Sequence, residues 1–204
     1  MKKVLFVTDG IFHPPVFARI ALHKTLAQLD GFEFQHTRTL EKLPGNLRDF
    51  SAIVIYVHHK KISETALATL DDFVSNGGGV LGVHTATAAF KKQLHYFEIL
   101  GGRFVGHGPV ERFKVKPVAE SEIFAGNPAF TVKDELYIHE LQPGIMAHFT
   151  ANHEGQEVPV VWTYQYGEGR VCYAVPGNLT ETMRNKTYQK VLQQGLNWVC
   201  EENR

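Results

Sequence analysis

The chain has 204 residues, 44% hydrophobic and 21% charged, the size and composition of one ordinary globular α/β domain. Basic and acidic residues number 21 each, so the formal net charge is zero, and no basic stripe with interleaved aromatics points to nucleic acid. No apolar stretch approaches the ~20 residues that span a bilayer, and Val4-Leu5-Phe6-Val7 behind Lys2 and Lys3 is too short for a signal peptide; a membrane partner is not expected, and cytoplasmic residence is the default.

In chain order, residues 3–8 read as a first buried strand. Pro14-Pro15 then suit a helix start, with Val16, Ile20, Leu22, Leu26 and Leu29 at helical spacing and Gly31 as its end. Residues 32–36 alternate as a second strand. Residues 52–57 form a continuous β-branched run, the mark of a central parallel strand. Ser63 can cap a helix running through Val74, closed by Asn76-Gly77-Gly78-Gly79. Residues 80–83 form the next buried strand, and a helix is predicted from about 87 to 100. Short alternating runs follow at 110–118, 145–151, 158–164 and 170–175, and a helix over about 185–200 closes the chain. The alternation in the first half predicts an α/β fold of the doubly wound, mostly parallel, flavodoxin-like kind over a single domain, 1–204, with an antiparallel extension in the second half.

Gly77-Gly78-Gly79-Val80-Leu81-Gly82 matches the G-x-G-x-x-G spacing but lies in the wrong context. A dinucleotide loop follows a strand and opens a helix, whereas these glycines close a helix and enter a strand; no nucleotide is predicted. The residues just beyond are more informative. Strand 80–83, then His84, then Thr85-Ala86-Thr87 has the form of a nucleophile elbow, with Gly82 and Ala86 as the small residues that the close strand–helix approach requires. Cys172 and Cys200 lie at no strand-to-helix turn and read as buried apolar residues, so thiolate chemistry is not expected.

The segment 76–84, the block Leu100-Gly101-Gly102-Arg103-Phe104-Val105-Gly106-His107, Asp134-Glu135-Leu136-Tyr137, Pro159-Val160-Val161-Trp162, 166–173 and Leu196-Asn197-Trp198-Val199 together resemble the ThuA-like (trehalose-utilisation) family. The resemblance implies the class I glutamine amidotransferase-like fold without that class's cysteine, and a link to carbohydrate metabolism. One departure stands out: Gly177-Asn178 occupies a place where the family often has Gly-His.

In an open α/β sheet, ligands bind beyond the carboxyl ends of the strands. The polar residues placed there are Asp9 and His13, His58 and His59, His84, His107, Glu135 with Tyr137 and His139, and Asn178. Eleven histidines is a high count for a neutral chain, and imidazole with carboxylate is the usual ligand set for zinc or a similar divalent metal. His84 and Glu135 are the catalytic candidates; His84, His107 and Glu135 form the candidate metal set. His13, Tyr137 and Asn178 are candidate ligand contacts, Tyr137 having a core position as its plainer alternative. His23, His36, His95, His148 and His153 read as ordinary surface or half-buried histidines. Trp162 and Tyr173 read as core. The expected function is action on a sugar or oxidised sugar derivative by metal-assisted or acid–base chemistry, with a sugar-like ligand as partner. The alternative is a non-catalytic ligand-binding or interaction module on the same fold. Aromatics on the late strands leave a homo-oligomer open.

Overall fold

The structure is a computed structural model and describes residues 1–9, 14–44, 47–118 and 121–201. The first half runs β1 (Lys2–Thr8), α1 (Val16–Leu26), β2 (Phe32–Thr37), β3 (Ala52–Tyr56), α2 (Glu64–Ser75), β4 (Gly79–Val83), a 3₁₀ helix (His84–Ala88), α3 (Leu94–Leu100) and β5 (Gly102–His107). The second half runs β6 (Glu111–Pro117), β7 (Phe130–Asp134), β8 (Tyr137–Leu141), β9 (Met146–His153), β10 (Gln156–Tyr166), β11 (Gly169–Ala174), α4 (Thr180–Met183) and α5 (Lys186–Val199).

Nine strands form one sheet in the order β2-β1-β3-β4-β11-β10-β9-β6-β7. The five from β2 to β11 are parallel; β10, β9, β6 and β7 add on as antiparallel neighbours, the extension the sequence predicts. Strand order spreads to both sides of β1, as in a doubly wound sheet. α1 packs with α4 and α5, and α2 packs with α3, giving two groups of helices. Every residue of β3 and β4 is buried, which is why these strands read as unbroken apolar runs rather than alternating ones.

Several boundaries follow the sequence signals. Ser63 caps α2, its hydroxyl accepting the Ala66 N–H at 3.2 Å, and Asn185 caps α5 by accepting from Tyr188 N–H at 3.0 Å. The glycines of the false nucleotide loop serve helix exit and close packing: a Cβ on Gly79 would sit 2.1 Å from the Val199 carbonyl oxygen. Trp162 and Tyr173 are fully buried and stack at 4.3 Å, and both cysteines are buried and free, as expected.

Three expectations are corrected. The helix expected from about 87 to 100 is a 3₁₀ turn followed by α3 alone, the two separated around Phe90, whose φ of 50° is left-handed. On α1 the buried stripe is Ala18, Leu22, Thr25 and Leu26, while Ile20 is 46% exposed. β5 and β8, not foreseen as strands, form a separate antiparallel two-stranded sheet, and β7 closes the far edge of the main sheet.

That far edge returns to the centre. β7 lies four strand positions from β11, about 19 Å in a flat sheet. Yet Asp134, the last residue of β7, accepts hydrogen bonds from the backbone just after β11. The extension therefore curls, and the register shifts between β9 and β10 at Pro159, Val161 and Trp162 supply bulges that bend it.

Candidate functional site

β4 ends at Val83, and His84 follows with φ 44°, a left-handed conformation that a non-glycine residue adopts at a cost. Strand, strained residue and helical turn make the elbow expected from the sequence. A Cβ on Gly82 would lie 2.9 Å from the Tyr173 ring and 3.6 Å from Ala86 Cβ, which is why that position is bare.

β11 runs parallel beside β4, with Ala174 opposite Val83, so the residues after each strand end meet. His84 Nδ1 lies 2.8 Å from the Val175 carbonyl oxygen. A carbonyl only accepts, so Nδ1 carries the proton and donates. In the neutral ring Nε2 is then a bare lone pair. It is buried, has no hydrogen-bond partner among the described residues, and lies 3.6 Å from Glu135 Oε2. Two acceptors at that separation face each other favourably only with a proton or an O–H donor between them.

Asp134 fixes the carboxylate side of this pair. It is fully buried, and its oxygens accept N–H bonds from Glu135 (2.9 Å), Gly177 (3.1 Å), Asn178 (2.9 Å) and Leu179 (3.3 Å). The same loop is held from its carbonyls, Tyr188 OH donating to Pro176 and Tyr56 OH to Gly177. Burial pushes both phenols well above their ordinary range, with the Asp134 charge adding to it, so they remain donors. Residues 175–179 are thus pinned on both sides of the chain, and His84 is pinned through them. Asn178, an expected ligand contact, is buried here and meets Asp134 through its backbone.

The β5–β8 ribbon supplies the wall. Tyr137 stacks on His84 with ring centroids 4.0 Å apart, and it contacts Phe104 at 4.4 Å and His107 at 5.4 Å. Burial, then the charges of Glu135 and Asp134, push the Tyr137 phenol up, so it stays protonated. His107 is exposed and donates from Nδ1 to Gly108 O at 2.7 Å.

His139 lies beneath. Its Nε2 is 2.8 Å from Thr87 Oγ1, which is 2.7 Å from Tyr173 OH, which donates to the His84 carbonyl at 2.6 Å. That carbonyl sets the direction of the whole relay: Tyr173 donates to it, Thr87 donates to Tyr173, and His139 donates from Nε2–H to Thr87. Burial, then the neighbouring His84, push His139 down to about 3, so it is neutral at ordinary pH.

The structure therefore brings together His84, Glu135, Tyr137 and Asn178. His107 reaches only the Tyr137 ring, and His13 lies outside the described residues. Of the expected metal set, His84 and Glu135 face each other and His107 does not join them. Among the described residues no group of three or more His, Cys, Asp or Glu side chains is arranged to hold a metal ion, because His107 turns its Nδ1 to its own loop and meets Tyr137 rather than His84. Asp9 belongs to another cluster, paired with Arg38 at 2.9 Å and His59 at 3.5 Å. Sequence reasoning missed Asp134, Val175, Tyr56 and the Thr87–Tyr173 relay. Only Asp134 carried a signal, an acid at a strand end beside Glu135. Cys172 and Cys200 are pushed up to about 12 by burial, which keeps both as thiols.

Fold and site define a class: an α/β protein with a strained polar elbow at the carboxyl ends of parallel strands, carrying an imidazole–carboxylate pair there. The family model described as ThuA, trehalose utilisation, matches residues 3–199, and the chain belongs to that family. Among solved structures it is similar to a ThuA-like protein from Bacteroides uniformis ATCC 8492, 19% identical with a TM-score of 0.82 over 98% of this chain and 91% of that one. A ThuA-like protein from Parabacteroides merdae ATCC 43184 is 18% identical, with a TM-score of 0.82 over 100% of this chain and 92% of that one. The β-galactosidase of Rahnella sp. R3 is 13% identical, with a TM-score of 0.73 over 100% of this chain and 32% of that one, so the fold also occurs as a segment of a larger protein. A search of the curated proteins found no match.

Proposed function

We propose that this ThuA-family protein acts on a sugar or an oxidised sugar derivative in trehalose-type carbohydrate utilisation, by acid–base chemistry at His84 and Glu135. The observation that carries this reading is the bare, buried Nε2 of His84 facing the Glu135 carboxylate at 3.6 Å, its tautomer set by the Val175 carbonyl. Once the buried Nε2 is uncovered from the partly exposed Glu135 side, one sugar O–H can sit within about 2.8 Å of both atoms. His84 Nε2 then accepts a proton from the substrate, the imidazolium is stabilised by Glu135, and the same proton returns to a second position on the substrate. An oxidised sugar suits this chemistry because a carbonyl acidifies the C–H and O–H groups beside it. Tyr137 holds the imidazole flat, and Asp134 keeps the 175–179 loop from moving. Cytoplasmic residence and an assembly of identical chains belong to the proposal too; a cytoplasmic protein from Salmonella typhimurium LT2 shares the fold at 16% identity and a TM-score of 0.73 over 97% of this chain and 99% of that one.

The test is calorimetric titration of trehalose and of keto-sugar derivatives into wild type, His84→Ala and Glu135→Gln. Saturable binding lost in both variants supports the reading; binding that both variants retain overturns it. A divalent metal is the second reading, favoured by the unpartnered Nε2 beside a carboxylate. Elemental analysis of the purified protein and both variants tests it: near-stoichiometric zinc lost in both would support it, and none after soaking in zinc or manganese would remove it.

A further inference from the structure

A second concavity, of about 320 Å³, opens between α1 and the carboxyl ends of β1 and β2, and none of its lining residues belongs to the His84–Glu135 site. Its volume lies at the lower end of the ~300–1,000 Å³ that small-molecule sites occupy. Val16 and Ile20 line it as apolar surface above the buried Phe6 ring. Arg19 and Lys24 of α1 bring two cations, and Arg38 a third whose charge is taken up by Asp9. No carboxylate lines it among the described residues.

Arg19 is only partly satisfied. Its guanidinium donates to Thr8 Oγ1 at 3.2 Å, and its Nε is buried with no hydrogen-bond partner among the described residues. A guanidinium has five donors and no acceptor, so a cationic head set in a concave wall is built to receive an anion. His23 and His36 form one side of the cavity, their Nε2 atoms 3.2 Å apart. Burial keeps both imidazoles below their ordinary value, with His36 also lowering His23, so one ring of the pair has room to gain a proton when a negative charge arrives.

We propose that this cavity is a binding site for a small organic anion, a carboxylate or phosphate monoester on a compact apolar body. The acidic group pairs with Arg19 and Lys24 while the body covers Val16 and Ile20. The site is separate from the acid–base pair and stands whether or not the sugar reading holds.

The experiment is calorimetric titration of benzoate, phenyl phosphate and neutral benzyl alcohol into wild type, Arg19→Gln, Lys24→Glu and His84→Ala, with circular dichroism on each. Lys24 is exposed, so its reversal leaves folding intact even if Arg19→Gln does not fold. We expect saturable binding of at least one anion in wild type and His84→Ala, weakened about tenfold or more by loss of a charge-assisted partner in Lys24→Glu and in folded Arg19→Gln. Benzyl alcohol binding as tightly as benzoate would overturn the assignment to anions. Loss of binding in His84→Ala would overturn the separate site, and failure of both anions to saturate wild type would overturn the proposal.

Discussion

At the scale of single residues the candidate site depends on contacts with no slack. A Cβ on Gly177 would lie 2.6 Å from His84 Cβ and 3.1 Å from Met183 Cε. The Gly177 backbone is held by both Asp134 and Tyr56, so it is His84 that must yield. Gly177→Ala is expected to cost about 1–3 kcal/mol, the usual range for overpacking. Urea denaturation measures it, and an unchanged midpoint would remove the claim of close approach. Asp134→Ala leaves the buried amides of Gly177 and Asn178 and the part-buried amide of Leu179 unpaired, and is expected to cost at least ~3 kcal/mol in the same assay. Much of the residue-level site was legible. The elbow showed in Gly82, His84 and Ala86, and Glu135 and Tyr137 stood out as polar groups within a family block. The Val175 carbonyl was not legible, since a backbone acceptor leaves no trace in side-chain identity.

At the scale of elements, β1, β3 and β4 followed the sequence because they are buried along nearly their whole length, and β2, at the sheet edge, showed an alternation instead. β5 and β8 escaped because their burial is mixed: Gly102–His107 is buried at its first residue and then half-exposed or exposed, with no clean alternation to read. The ribbon they form nevertheless delivers Tyr137, His107 and His139. Beside the stacking of Tyr137 on His84, it is attached to the elbow through Thr87. Thr87→Val keeps the shape and removes the hydroxyl, leaving the Nε2–H of His139 and the Tyr173 hydroxyl without their shared partner. We expect a loss of about 1–3 kcal/mol. Long-range nitrogen–proton NMR on wild type should show His139 as the Nε2–H tautomer near neutral pH; an Nδ1–H signal would reverse the deduced relay.

At the scale of the whole molecule, burial of histidines sets the acid limit. His139 is pushed down to about 3 and His148 to about 4, both chiefly by burial. Below the ordinary value of 6.5 the unfolded chain takes up protons that the folded chain refuses, so stability falls with pH. The loss begins as pH drops through about 6.5 and continues to about 4 for His148 and about 3 for His139, at up to ~1.4 kcal/mol per pH unit for each. Replacing His148 by Gln should flatten the profile between pH 6 and 4 in urea denaturation; an unaltered slope would mean that this histidine protonates freely in the fold. His95, between Asp71 and Glu98, acts in the opposite sense. Hydrogen bonding to Glu98 raises it, so its contribution is complete below 6.5 and is lost as pH climbs through the raised value. The curl that returns Asp134 to the 175–179 loop is a property of this scale, and no local pattern announces it.

The central claim is that His84 and Glu135 move protons on an oxidised sugar. Proton NMR of a keto-sugar derivative of trehalose in heavy water, incubated with wild type, His84→Ala or Glu135→Gln, tests it most directly. Wild type should exchange deuterium into the position beside the carbonyl or convert the sugar. Each variant should slow that change about 10²-fold or more, the usual contribution of a positioned acid–base group. Equal rates in all three proteins, or no change above the protein-free control, would contradict the claim.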